Sequence, residues 1–257
     1  MRPCTTPTMM VREAEFGGAA PLICVPLVAG DTAHLLQQAA FAHSVSPDVV
    51  EWRADSFDRL SGDSVAGIAS AVRGVLPREA LIFTLRAEGE GGARALAQPL
   101  RGEIIRAAIE SGQVDIVDLE LANGSGFVLP MIRLAHGQGV RVILSFHDFQ
   151  STPDSGALLA TISEMVRQGA DIAKIACMPR HAGDVLRLLD LTLTARRMFP
   201  AVPLCTMAIG GLGVLTRVAG FLFGSDMSFA VGQTASAPGQ IPIAELRAAI
   251  DLLDRYA

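Results

Sequence analysis

The chain has 257 residues, 50% of them hydrophobic and 18% charged, which rules out disorder over most of its length and suffices for a large core. Acidic residues outnumber basic ones 26 to 21, giving a net charge of −5 with no basic tail, so a nucleic-acid partner is not expected. Mean hydropathy is high at +0.40, yet no apolar run approaches the roughly 18 residues of a spanning helix, and a soluble protein without a membrane partner is expected.

Residues 1–20 carry no obvious helix and read either as a short hairpin closing the bottom of a barrel or as a partly disordered segment. The run Pro21 to Ala29 has the length of a leader's apolar core. Glu13 and Glu15, however, stand where a leader needs positive charge, so the cytoplasm is expected rather than export. From there on, short β-branched runs alternate with helical stretches. Strands are predicted at Leu22–Val28, Val49–Asp55, Ala80–Arg86, Asp115–Leu121, Arg141–His147, Asp171–Cys177, Pro203–Ile209 and Met227–Gly232. Amphipathic helices are predicted over Asp31–His43, Pro99–Ser111, Phe127–Gln138, Asp154–Gln168, Ala182–Met198, Val214–Phe223 and Pro242–Tyr256. Another belongs within Ser56–Gly74, where Gly62, Gly67 and Gly74 obscure the period. Gly112, Gly139 and Gly169 follow their helices as C-cap residues. The strands recur every 25 to 35 residues or so, roughly the period of a (β/α)8 TIM barrel, which is the fold expected. No linker divides the chain, so residues 1–257 are expected to form one barrel domain with 1–20 as an extension.

Cys4, Cys24, Cys177 and Cys205 are widely spaced, with no C-x-x-C pair, and suggest reduced thiols rather than a zinc cage or a disulfide framework. Of the 21 basic residues Lys174 is the only lysine, and it stands in the apolar segment Asp171-Ile-Ala-Lys-Ile-Ala-Cys177, where a charge is costly to desolvate. An amine there reads as a nucleophile for a ketone or aldehyde. Its pKa must then fall from about 10.4 toward 7 to 8 through desolvation and nearby cations, for which Arg53, Arg86 and Arg217 are available.

Other polar residues concentrate at the carboxyl ends of the predicted strands, where barrel enzymes place their active sites. Spacing two puts Glu51 with Arg53, Thr84 with Arg86, Asp118 with Glu120, and Ser145 with His147 on shared strand faces. Glu51 and Arg53 also read as a buried structural ion pair, and Asp118 reads equally well as a structural carboxylate. The Glu88-Gly-Glu-Gly-Gly92 loop brings acidic groups to the same rim. Gly210-Gly-Leu-Gly213 weakly resembles a phosphate-binding turn, while Arg217, one helical turn further on, suits an anion clamp. Thr234-Ala-Ser-Ala-Pro-Gly-Gln240 suits a loop that closes over substrate.

Taken together, Glu51-Trp-Arg53, Phe83-Thr-Leu-Arg86 with Glu90-Gly-Gly92, Asp118-Leu-Glu120, Ser145-Phe-His-Asp-Phe149 with Thr152-Pro153, Lys174, Arg217 and Ala235-Ser-Ala-Pro-Gly-Gln240 resemble the type I 3-dehydroquinate dehydratases. The likeness runs from about Pro21 to Tyr256. It implies that Lys174 forms an imine with the C3 ketone of 3-dehydroquinate, that His147 takes the C2 proton and then protonates the departing C1 hydroxyl, and that Glu90 holds this imidazole. It further implies that Arg217 binds the substrate carboxylate, and that Glu51, Arg53, Arg86, Ser236 and Gln240 hold its hydroxyl groups and close the lid. No metal and no cofactor are implied, and the family's usual homodimer is. Three positions depart from the pattern: Pro26 stands where some members have a serine, Ile209 where some have a methionine, and Phe146 where an asparagine is common. Two other readings stay open. A class I aldolase also uses a barrel lysine, although the His147–Glu90 pair and the Ala-Ser-Ala-Pro-Gly-Gln segment favour dehydration, and a non-catalytic metabolite sensor need not keep both nucleophile and base.

Overall fold

Apolar β-branched runs bounded by turn residues become strands, and the amphipathic stretches between them become helices that cover the sheet. The computed structural model describes residues 3–5 and 7–256; positions 1, 2, 6 and 257 of the expected domain lie outside the described residues. In chain order the elements are β1 (Met9–Val11), β2 (Ala14–Phe16), β3 (Leu22–Leu27), α1 (Thr32–Ser44), β4 (Val49–Arg53), α2 (Gly62–Val75), β5 (Ala80–Thr84), α3 (Gln98–Glu110), β6 (Ile116–Glu120) and α4 (Ser125–Gly137). They continue with β7 (Arg141–Asp148), α5 (Ser155–Gln168), β8 (Ile172–Cys177), α6 (Ala182–Met198), β9 (Leu204–Ala208), α7 (Val214–Ala219), β10 (Met227–Val231), β11 (Ile241–Pro242) and α8 (Ile243–Tyr256).

Strands β3 to β10 are the eight predicted strands, curled into a parallel (β/α)8 barrel. The helix hidden in Ser56–Gly74 is α2. A Ser61–Ser64 capping box starts it, and Val65, Ala69 and Val72 form its buried stripe, small enough to leave the hydrophobic period weak in the sequence. Asp31 and Asp154, predicted as first helical residues, are instead N-caps whose carboxylates accept from the backbone N–H groups of His34 and Ala157. The helix predicted over Val214–Phe223 stops at Ala219 and continues as a 3-10 turn over Gly220–Phe223. Gly220 is a poor helix former, and the chain must turn sharply there to enter β10. Among the described residues no helix is long and apolar enough to cross a membrane.

Two apolar cores flank the sheet. One packs helices against the outer strand faces around Trp52, Phe83, Leu119 and Leu144. The other fills the barrel interior at its amino end with Leu22, Cys24, Val49, Ile116, Ile143 and Ile172, and Val11, Ala14 and Phe16 of the β1–β2 hairpin plug it from below. Of the two readings of the N-terminal extension, the hairpin describes residues 9–16.

The amino end of the barrel carries a device repeated four times. Asp48, Asp115, Asp171 and Asp226 each stand just before an even-numbered barrel strand. Each donates its backbone N–H to a carbonyl of the preceding barrel strand, at Ile23, Leu81, Val142 and Leu204, over 2.6–3.1 Å. Each carboxylate in turn accepts the N–H of that same residue over 2.7–2.8 Å. An N–H at the start of each odd barrel strand, on the second residue of β3, β5 and β7 and the first of β9, is thus satisfied ahead of the ladder. Three of the four carboxylates also pair with arginines, Asp115 with Arg73 and Arg12, Asp171 with Arg141, and Asp226 with the buried Arg196, and Asp171 also shares a hydrogen bond with the His136 ring.

The barrel closes unevenly. Parallel ladders run without a break from β11 through β10, β3 and onward to β9, and among the described residues no ladder joins β9 to β10. That seam is held by Asp226 and Ser225, whose side-chain oxygens accept the N–H groups of Leu204 and Thr206.

Candidate active site

At the carboxyl end, the inward positions above the apolar plug are polar, and they surround a cavity that opens toward solvent. Lys174, His147, Glu90, Glu51, Arg53, Arg86, Arg217, Ser236 and Gln240 all line it. These are the residues singled out above, brought together from β4, from the end of β5 and the turn after it, from β7 and β8, from α7 and from the loop before β11. Strand parity does most of the placing: Ser145 is in register with Lys174, and Lys174 with Cys205, so their side chains share one interior layer.

Lys174 is 4% exposed. Its Nζ lies 2.9 Å from Asp118 Oδ2 and 3.5 Å from Glu51 Oε1, and 4.6 Å above the centre of the Phe229 ring. Burial works against the charge, but Asp118 and then Glu51 outweigh it and hold the amine above its ordinary pKa. The expected depression by neighbouring cations is therefore not what the resting site shows. Arg86 does act in that direction, yet the two carboxylates sit closer and win. Asp118 is far more than structural packing: Oδ1 accepts from Ser145 Oγ at 2.6 Å, and Oδ2 accepts from Arg86 at 2.8 Å as well as from Lys174. Although burial opposes ionisation, Arg86 and Lys174 hold its carboxyl well below the usual carboxylate range.

Glu90 reaches the cavity through a 3-10 turn over Glu88–Glu90. Gly91 closes that turn with φ +85°, and a Cβ there would stand 2.4 Å from the Phe149 ring, so both conformation and space require glycine. Glu90 Oε2 accepts the backbone N–H of His147 at 2.9 Å and faces its ring Nδ1 at 3.0 Å. Because Oε2 is already an acceptor for the backbone, Nδ1 carries the ring proton, and Nε2 keeps its lone pair. Burial, reinforced by Arg86 and Lys174, drives the His147 pKa well below its ordinary value, so the ring is neutral. Burial likewise pushes Glu90 up to about 7, against the pull of Arg86. Asp148 is a turn former, accepting from the N–H groups of Gln150 and Ser151.

The arginines divide. Arg53 makes a two-pronged bond to Asp55 at 2.8 and 2.9 Å, so the expected Glu51–Arg53 ion pair does not form; Glu51 instead accepts from Thr84 Oγ1 at 2.8 Å. Arg86 is bound to Asp118, Glu120 and Ser145. Arg217 is 2% exposed yet has no ion pair among the described residues. Its guanidinium has only long contacts, at 3.5–3.6 Å, to Met207 Sδ and the carbonyls of Phe229 and Pro238. Burial pushes it down to about 10, where it remains a cation at neutral pH.

The loop ahead of β11 rests on the site. Gln240 bonds the Ser236 backbone N–H at 2.9 Å and Ser236 Oγ at 3.0 Å, and Gly210 N–H donates to the Pro238 carbonyl at 3.1 Å. The Gly210–Gly213 turn is thus occupied in docking this loop, and its likeness to a phosphate-binding turn is superficial. Cys24, Cys177 and Cys205 are buried free thiols; burial pushes Cys177 and Cys205 up to about 12. Among the described residues no group of three or more His, Cys, Asp or Glu side chains is arranged to hold a metal ion. Of the contacts of Lys174, Asp118 read equally well as structural in the sequence, and Phe229 was not singled out at all. Asp118 was visible through its spacing from Glu120, whereas Phe229 gave no signal in an apolar strand.

A family model for type I 3-dehydroquinases matches residues 23–257. The chain belongs to the type I 3-dehydroquinase family. It is 40% identical over 248 residues to a 3-dehydroquinate dehydratase of Listeria monocytogenes, covering 96% of this chain and 98% of the relative. The crystal structure of 3-dehydroquinate dehydratase from Geobacillus kaustophilus superposes with a TM-score of 0.95 at 41% identity, covering all of both chains. A type I enzyme from Clostridium difficile, solved with covalently modified comenic acid, gives 0.93 at 31% identity over 97% of this chain and 98% of that one. Of the three departures from the 3-dehydroquinase pattern, only Ile209 lines the cavity. Pro26 is buried in β3 in register with Glu51, and Phe146 packs against the outer core.

Proposed function

We propose that this chain dehydrates 3-dehydroquinate to 3-dehydroshikimate through an imine on Lys174. The observation that carries the reading is a buried lysine within β8, sharing one cavity with a neutral His147 held by Glu90 and with an arginine that has no ion pair among the described residues. Arg217 binds the substrate carboxylate, which replaces long carbonyl contacts with a charge-assisted pair. The protonated imine at C3 then serves as an electron sink. His147 Nε2 removes the C2 proton, the electrons move toward the imine nitrogen, and the same imidazolium gives its proton to the departing C1 hydroxyl. Glu90 keeps the ring in one orientation for both transfers. Ser236 and Gln240 cover the substrate, Arg53 and Glu51 face its hydroxyl groups, and Arg86 fixes the wall behind them. Hydrolysis of the imine releases the product.

The same reading takes the chain as one barrel domain, working as a homodimer in the cytoplasm, without a cofactor. The acidic balance of the sequence supports the absence of a nucleic-acid partner. The test is the intact mass after incubation with 3-dehydroquinate and borohydride. The native chain is expected to gain one reduced adduct and to release a conjugated enone seen by ultraviolet absorbance, while Lys174→Ala does neither. Because Lys174 is the only lysine, the comparison with Lys174→Ala leaves only the terminal amine as another site, and that amine is present in both chains. Binding without an adduct or product would turn the reading to a metabolite sensor.

A further inference from the structure

Imine formation has to move protons before any carbon is touched. Lys174 rests as an ammonium, held by Asp118 at 2.9 Å, Glu51 at 3.5 Å and the Phe229 ring, and an ammonium has no lone pair with which to attack a ketone. The two carboxylates at Nζ are not equivalent. Both oxygens of Asp118 are committed, one to Ser145 and the other to Arg86 and Lys174 together. Taking a proton would break this buried network. Glu51 has one outside donor, Thr84 Oγ1 on Oε1, and among the described residues no donor reaches Oε2. It is 2% exposed, lines the cavity and touches the reacting nitrogen. His147 lines the same cavity, and its ring Nδ1 is engaged with Glu90.

We infer that Glu51 is the proton carrier of imine formation, taking protons from the Lys174 nitrogen and returning them to the carbinolamine oxygen that leaves as water, while Asp118 is the positioning residue that fixes the nitrogen. The inference rests on the imine reading given above. Overall, an ammonium and a ketone give a protonated imine and water. Glu51 first takes one proton from the ammonium, the freed amine forms the C–N bond, and the proton passes to the oxyanion. Glu51 then takes a second proton from the nitrogen and delivers it to the hydroxyl, and the C–O bond breaks as the nitrogen lone pair forms C=N. Two protons have left with the oxygen, no electrons have been gained or lost, and Glu51 is a carboxylate again. Nitrogen carries unit positive charge at the beginning and at the end. The carboxylate pair therefore stabilises ammonium and imine alike, and a strongly held resting ammonium does not oppose the reaction.

Glu51→Gln keeps the size of the side chain and an acceptor for Thr84 but cannot carry a proton. Adduct formation, followed by rapid quenching into borohydride, is expected to slow by about 10² or more. With that step limiting, the isotope effect from deuterium at C2 of the substrate should collapse toward unity. Thr84→Val, which removes only the donor that orients Glu51, should show the same change at about tenfold. His147→Ala, by contrast, should abolish turnover through loss of the C2 proton transfer. Glu51→Gln forming adduct at the native rate with an undiminished isotope effect would overturn the inference and leave Glu51 as a binding group. A native chain that forms no adduct sinks the imine reading, and this inference with it. Should Glu51→Gln fail to fold by circular dichroism, Thr84→Val decides the matter by the same two readouts.

Discussion

The two ends of the barrel are built by opposite rules. At the amino end one solution is used four times: an aspartate before each even strand closes a pair of hydrogen bonds with the strand before it. At the carboxyl end no such unit repeats. Lysine and histidine each occur at a single strand end, arginines and carboxylates occur at several but each with a different set of partners, and one charge, on Arg217, is buried without an ion pair among the described residues. The contrast shows where the chain places its stability and where it forgoes it. A satisfied donor is worth the same on every strand, whereas a reaction needs several different groups around one point.

Substitutions that affect one end only can sharpen or break that contrast. The largest separation is expected from Arg217→Met. KM should rise by about 10²-fold or more, because a buried charge pair with the substrate carboxylate is lost. The melting temperature should stay the same or increase, since an unpaired buried cation is removed. A fall in stability with unchanged KM would show that Arg217 belongs to the scaffold. Next come the four aspartates, changed singly to asparagine and followed by urea unfolding. Asp226→Asn should cost about 3 kcal/mol, because it strands the buried Arg196. Asp115→Asn and Asp171→Asn, at partly exposed positions, should cost about 1–2 kcal/mol, and exposed Asp48→Asn less than about 1. All four should leave kcat within about twofold. Equal costs at all four would mean that the backbone bond, not the countercharge, sets the value.

The smallest expected effect is on pH dependence. Glu90, pushed up to about 7 by burial, holds His147 Nδ1 through a charge-assisted bond when it is ionised and through a weaker, neutral one when it is protonated. In the native chain kcat/KM should therefore rise as pH increases through about 7 and then level off. Glu90→Gln should lower the plateau by about tenfold and flatten that limb. A limb that survives the substitution would assign it to another group.

The barrel strands were legible because parallel strands buried on both faces read as short β-branched runs, and Lys174 stood out because no apolar strand tolerates a charge without cause. The convergence of Glu51, Arg86, His147 and Lys174 followed from spacing two on the predicted strands once those faces were taken to point into the barrel. Other features were hidden. Asp48, Asp115, Asp171 and Asp226 look like ordinary turn residues, and only the register shows that each reaches back to the strand before it. Which carboxylate meets the lysine was equally illegible: Glu51, Asp118 and Glu120 all point inward, and the choice depends on side-chain reach across strands. The β9–β10 seam left no trace, because both strands read as apolar runs like the rest.

The scarcity of lysine makes this molecule its own reporter. With a single lysine in 257 residues, growth on isotopically labelled lysine leaves one side-chain nitrogen in the entire magnetic resonance spectrum. Ammonium, free amine and imine nitrogens differ widely in chemical shift, so each step at Nζ becomes a separate line that needs no assignment.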